Sequence, residues 1–157
     1  MEVVMKKTIF AMIFLLLFGL SITYTQQVYI AGSDGGNSWV GGNPVYWVNG
    51  KQTVLPKIGE GADANGITVS DSDICIAGFD DGYGVVYWLN GKQTVLPKTG
   101  TSASANGIAV SGSDIYIVGT DGDPDVNADA VYWLNGKRTA LPKTNKSAYA
   151  NAIFVTQ

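Results

Sequence analysis

Apolar and polar residues alternate along this chain in short bursts, not at helical spacing. Val28 to Gly32 alternates large and small residues, Val45 to Val48 follows a Gly-rich stretch, and Lys51 to Leu55 and Ala64 to Val69 complete a set. A period of two, bounded by Gly, Asn, Asp and Ser, predicts half-buried β-strands. Between the second and third strands lies Asn49-Gly50, a strong hairpin signal because both residues tolerate positive φ. Pro56 has no amide hydrogen, so it ends the third strand or marks an edge. Ser70-Asp71-Ser72-Asp73 then turns the chain into Ile74, and the pattern begins again.

The recurrence is literal. Tyr46 to Lys57, Tyr87 to Lys98 and Tyr132 to Lys143 all read Tyr-Trp-x-Asn-Gly-Lys-x-Thr-x-Leu-Pro-Lys, starting 41 and then 45 residues apart. Self-similarity at this period marks one supersecondary unit stacked on its own copies. The β domain is expected over 26–157, with units at about 28–69, 70–110 and 111–157. Each unit should be a four-stranded antiparallel sheet with tight turns at one end and longer loops at the other. The loop before the Tyr-Trp strand has 13, 8 and 12 residues in the three copies. Variable loops gathered on one face of a regular scaffold are the expected place for binding. The first unit lacks an Ala-Asn-Gly-Ile strand, and Ala150 to Val155 supplies a spare, so twelve strands are expected in permuted order.

A four-stranded unit of this length has the size of a propeller blade. The strand order resembles that of kelch-type blades: a small-residue inner strand, an Ile-Tyr-x-x-Gly strand, a Tyr-containing strand and an outer strand. The phrase Tyr-Trp-x-Asn-Gly-Lys-x-x-x-Leu-Pro is also similar to repeats of secreted bacterial extracellular-repeat proteins of the HAF-like type. The resemblance covers Val28 to Gln157 and implies an all-β, propeller-like fold. It implies no activity, because those families are defined by architecture. The kelch double glycine is missing: Gly32, Gly78 and Gly119 are followed by Ser33, Phe79 and Thr120. Propellers close with about 4–8 blades, so three units lead to two expectations. Two chains pair as a homodimer into one six-bladed ring, the C-terminal strand of each completing the first unit of the other. Alternatively the three units close alone as a β-trefoil, a common lectin scaffold.

Composition narrows the class. Charged residues are 15% of the chain, aromatics 11%, and there are 20 glycines, a profile for a turn-rich β protein and not for disorder. Lys6 and Lys7 precede the apolar run Ile9 to Leu20 and a polar exit. That run is shorter than the ~20 residues of a membrane span. It predicts a signal peptide over 1–25, a secreted protein (extracellular or periplasmic) and no stable membrane span in the mature form. Without the leader, 8 basic and 12 acidic residues remain with no basic stripe, which excludes nucleic acid as an expected partner. No histidine is present, so the usual general base is missing, and no nucleophile elbow, phosphate loop or zinc spacing occurs. A non-catalytic protein is expected. The single Cys75 stands where the other units carry Tyr29 and Tyr116 and is expected to be a buried substitute.

Three aromatic residues and one acidic stretch are the candidate sites. Trp39 lies in the Gly-rich loop of the first unit, Tyr83 in the matching loop of the second, and Tyr149 where the other units have Asp63 and Ser104. An exposed ring in a polar loop can stack on a sugar or anchor a partner. Asp121, Asp123, Asp125, Asn127 and Asp129 place oxygens at every second position, like the start of a Ca²⁺ loop. Val126 stands in place of the loop glycine and Tyr132 in place of the bidentate Glu, and the competing reading is a solvated acidic loop. The paired Tyr46-Trp47, Tyr87-Trp88 and Tyr132-Trp133 should point to opposite faces of their strands and fill successive inter-unit layers. Asn65, Asn106 and Asn151 should hydrogen-bond the backbone of a neighbouring unit. The expected function is recognition of a glycan or cell-surface protein through the long-loop face, with Trp39 as one anchor. The alternative is a structural scaffold of amplified blades without a small-molecule ligand.

Overall fold

The computed structural model describes residues 25–36, 41–123 and 125–156, so Trp39 and all but the last residue of the expected leader lie outside the described residues. The architecture is all-β, with three antiparallel sheets and no helix among the described residues. The first sheet holds β1 (Tyr29–Asp34), β2 (Asn43–Val48) and β3 (Lys51–Val54). The second holds β4 (Ala62–Ser70), β5 (Asp73–Asp80), β6 (Gly84–Leu89) and β7 (Lys92–Val95). The third holds β8 (Ala103–Ser111), β9 (Asp114–Asp123), β10 (Asn127–Leu134) and β11 (Lys137–Ala140). Strands pair in chain order within each sheet, so every sheet is a meander.

The tight end follows from the Asn-Gly pairs. Asn49, Asn90 and Asn135 have φ of 51°, 51° and 49°, and the glycines after them 82°, 80° and 82°. Positive φ at both central residues gives the turn whose twist matches that of the flanking strands. Each asparagine has a second task. Its Oδ1 accepts from an amide at the start of the neighbouring strand: Val28 at 2.9 Å, Ile74 at 3.0 Å and Ile115 at 2.9 Å.

The inner strands carry a bulge between Ala64 and Gly66 and again between Ala105 and Gly107. The extra residue is an asparagine in both cases. A bulge interrupts the side-chain alternation, so the parity that would put Asn65 and Ile67 on one face is not maintained. The freed side chain reaches the next unit, as Asn65 Nδ2 donates to Ala105 O at 2.9 Å and Asn106 Nδ2 to Ala150 O at 2.9 Å.

Two apolar layers fill the spaces between the three sheets. Trp88 sits in the first layer with Leu55, Ala64, Ile76 and Val86, against Tyr46. Trp133 sits in the second with Leu96, Ala105 and Ile117, against Tyr87. Adjacent residues of one strand thus serve opposite layers, as the alternation requires. Trp88 and Trp133 are fully buried, and their Nε1 groups donate to the Pro56 and Pro97 carbonyls of the preceding unit, each at 2.8 Å. Cys75 is buried in the second layer, and burial, with the Asp73 charge, pushes its thiol above the ordinary value.

Two expectations are corrected. Among the described residues eleven strands form, not twelve, because residues 148–156 belong to no strand. They still lie where an inner strand belongs: Ala148 N donates to Ala128 O at 3.0 Å, repeating Ala62 N to Gly42 O at 2.9 Å. The partner they would need is a β1-type strand, and this chain's own β1 belongs to the first sheet in the row. The trefoil needs a barrel shared by its units, whereas among the described residues the strand ladders each stay within one sheet. The sheets do not close.

Candidate functional site

The connections β1–β2, β3–β4, β5–β6, β7–β8 and β9–β10 all fall at the end of the sheets opposite the Asn-Gly turns. Buried aspartates hold this rim together. Asp80 ends β5 and is fully buried; its carboxylate accepts from Ile58 N and Gly59 N of the preceding loop, each at 2.8 Å, and from Gln93 Nε2 at 2.7 Å. Asp121 repeats this one unit later, accepting from Thr99 N and Gly100 N, each at 2.8 Å, from Thr99 Oγ1 at 2.9 Å, and pairing with Arg138. Each aspartate therefore fastens the Leu-Pro loop of the unit before it.

Burial pushes both carboxyls up, but the donors outweigh it. Amides of Ile58, Gly59 and Gly82 with the Gln93 side chain hold Asp80 below the ordinary carboxylate value, and Gly100, Thr99 and Arg138 do the same for Asp121. A carboxylate with a lowered folded pKa stabilises fully above its unfolded pKa of about 3.9 and loses that contribution as pH falls through the folded value. The thermal midpoint is thus expected to hold from neutral pH to about pH 5 and to drop below about pH 4. Removing both charges with Asp80→Asn and Asp121→Asn should flatten that acid limb, and calorimetry across pH 3 to 7 reads it.

The recurring lysine of Leu-Pro-Lys folds back over its own loop. Lys57 Nζ donates to Glu60 O, Lys98 Nζ to Thr101 O at 3.0 Å, and Lys143 Nζ to Lys146 O at 2.9 Å. These cations close loops and offer no basic patch.

The acidic stretch is a hairpin more than a loop. Asp121 and Asp123 are in β9, Asn127 and Asp129 in β10, with Asp123 opposite Asn127 and Asp121 opposite Asp129. Their oxygens have partners. Asp129 pairs with Lys143 at 2.7 Å and Arg138 at 3.2 Å, the Lys143 ammonium reaches Asn127, and Asp123 Oδ1 accepts from Asp125 N at 2.9 Å. The Lys143 hydrogen bond, working against slight burial and aided by Arg138, keeps the Asp129 carboxyl below its ordinary value. Asp125 is exposed. Among the described residues, no group of three or more His, Cys, Asp or Glu side chains is placed to share a cation.

The aromatic candidates fare differently. Tyr83 is 49% exposed beside the β5–β6 turn, and Tyr149 is 53% exposed at the rim. Tyr149 borders a cavity of about 160 Å³ lined also by Ser102, Ser104, Asn106 and Thr120. The aspartate clamp is what the sequence reading missed. Its signal was a recurring Gly-x-Asp: Gly32-Ser33-Asp34, Gly78-Phe79-Asp80 and Gly119-Thr120-Asp121. The chain matches no family model, and comparison with curated proteins gives no match.

Proposed function

We propose that the three sheets are blades of a propeller-like ring, half a ring per chain, in a secreted, non-catalytic module that binds glycans through its long-loop rim. The observation that carries this reading is Tyr149, which is 53% exposed and borders a small cavity lined also by the polar residues Ser104, Thr120 and Asn106. A sugar ring has an apolar C–H face that stacks on an aromatic and hydroxyls that need polar partners, and this arrangement supplies both. At about 160 Å³ the cavity is below the roughly 300–1,000 Å³ of drug-sized pockets, which suits one sugar ring. Tyr83 is a second platform on the same rim, and Trp39, in the loop between β1 and β2, a third anchor. The signal-like residues 1–25 support export, and the lack of histidine supports a non-catalytic role.

Binding to a glycan array is the test. Tyr149→Ala is expected to weaken the strongest glycan about tenfold, the loss of a stacking contact of roughly 1.4 kcal/mol, with unchanged circular dichroism. Silence across glycans and surface extracts would sink the reading, as would binding indifferent to both Tyr149→Ala and Tyr83→Ala. The scaffold reading has its own support: both ends of the row of sheets leave built surfaces uncovered. Ile30 is 52% exposed while its counterparts Ile76 and Ile117 are each 1%, and Leu141 is 37% exposed while Leu55 and Leu96 are 3% and 2%.

A further inference from the structure

We infer that the two ends of the row are halves of one joint, and that the partner completing each is a second copy of this chain. This rests on the blade reading above and adds the residues that make the contact. The tryptophan and aspartate bonds that join consecutive units inside the chain each have a counterpart of one member at the first open end and of the other at the last.

At the first end stand Asp34, Trp47 and the outer edge of β1. Asp34 matches Asp80 and Asp121; it is exposed, with Gln52 Nε2 at 2.9 Å as Gln93 is to Asp80. Trp47 matches Trp88 and Trp133 but is only half-buried. Among the described residues no strand pairs with the outer edge of β1.

At the last end stand the Leu141-Pro142 loop and residues 148–156. Thr144 and Asn145 match Thr99 and Gly100, whose amides hold Asp121. No carboxylate accepts from them among the described residues, and an open cavity of about 330 Å³ lies there, lined by Pro142, Lys143, Thr144, Asn145, Ser147 and Ala148. The corresponding spaces beside Thr99 and Ile58 are filled by the clamping aspartate of the following unit.

The repeat fixes the register of the joint. Ile67 pairs with Ile76 and Val69 with Ile74 in the second sheet. The equivalent pairs are Ile153 with the partner's Ile30 and Val155 with the partner's Val28. Ile30 and Val28 are each 52% exposed in the single chain, and Phe154, which falls opposite the partner's Tyr29, is 87% exposed. The partner's Asp34 enters the Thr144–Asn145 loop, the partner's Trp47 donates to Pro142 O, and Asn151 reaches the partner's Ala64 O. Even the glycines agree. A methyl group on Gly78 or Gly119 would overlap the carbonyl of the inner strand, at Asp63 and Ser104, while at Gly32 it would meet only the Trp47 ring. Gly32 keeps the space for a strand that none of the described residues of the same chain provides. A head-to-tail contact of this kind forms a ring if the rotation closes and a filament if it does not. Two copies give six blades, within the range of about 4–8, and three copies exceed it.

The experiment is the solution mass of the purified protein by light scattering. Twice the single-chain mass is expected. Ile30→Lys at one end and Ile153→Lys at the other should each yield single chains. Val54→Lys should not, since Val54 is 61% exposed on an outer strand and its counterpart Val95 stays exposed at 42%. The paired change Ile30→Cys with Ile153→Cys should form a disulfide between chains, doubling the mass on a denaturing gel without reductant. A dimer that survives Ile30→Lys or fails to cross-link overturns the joint, and three or more copies overturn the two-copy ring. A monomer overturns it too, and hydrogen exchange separates the reasons. Protected β1 amides would mean that the chain closes on itself, and the blade reading falls as well. Freely exchanging β1 amides would leave the blades standing without a second copy.

Discussion

Asp121→Ala is expected to lower the unfolding free energy by about 4 kcal/mol. The carboxylate accepts from two amides, a hydroxyl and the Arg138 guanidinium, and is 2% exposed. Its removal deprives Thr99 N and Gly100 N of a charged acceptor, and each such hydrogen bond is worth roughly 1.5–3 kcal/mol. It also leaves Arg138 without its buried partner, a loss of roughly 3–5 kcal/mol in comparable pairs. The terms share one site and do not add, which sets the total near the middle of these ranges. Asp125→Ala, in the same acidic stretch but exposed, should stay within about 0.5 kcal/mol of the parent. Urea unfolding with an unchanged slope reads both values. The contrast distinguishes the clamp from a cation cage. A cage would use both residues, and added calcium would then raise the midpoint in the parent and in neither variant. With a clamp, calcium leaves the midpoint where it was.

The second large effect belongs to Trp133. Its ring is fully buried, filling the layer between the second and third sheets beside Leu96, Ala105 and Ile117. Trp133→Ala should cost about 3–5 kcal/mol, from lost apolar transfer and a cavity that rigid strands cannot collapse. Trp133→Phe keeps most of the apolar area but deletes the donor to Pro97 O at 2.8 Å. About 1 kcal/mol is expected from the loss of that hydrogen bond alone. Equal losses for Phe and Ala would show that the hydrogen bond matters more than packing, contrary to this account.

How far the sequence could be read depended on whether a signal was local. Asn49-Gly50 and its copies specify their turns by φ preference alone, and the strands on either side follow by alternation. The facing of Tyr87 and Trp88 into different layers follows from the pleat. The candidate site was harder to read. Asp121 looks like a ligand when its neighbours in sequence are counted, but its partners Thr99 and Gly100 lie some 20 residues earlier, 22 and 21 by position. Only the comparison of repeats, through Gly-x-Asp, could have linked them. The bulge at Asn65 was hidden for a related reason: it shows in the pairing of two strands, and one strand's pattern does not contain it. Residues 148–156 have every local property of a strand and lack only an edge to join. That is a property of the assembly of sheets and not of the segment.

The tryptophan and aspartate bonds between units run one way along the chain. Trp88 and Asp80 finish the unit before them, and Trp133 and Asp121 finish the next, so no unit fastens its successor by these contacts. Synthesis proceeds from the N-terminus and domains generally fold in that order. Each sheet leaving the ribosome therefore has its turns and its ladder, but its Leu-Pro loop stays unfastened until the following unit has emerged by about 20–40 residues, seconds later at roughly 5–20 residues per second. The nascent chain should mature in steps, always one unit behind its own elongation, and the last loop to be made waits for something beyond the third unit.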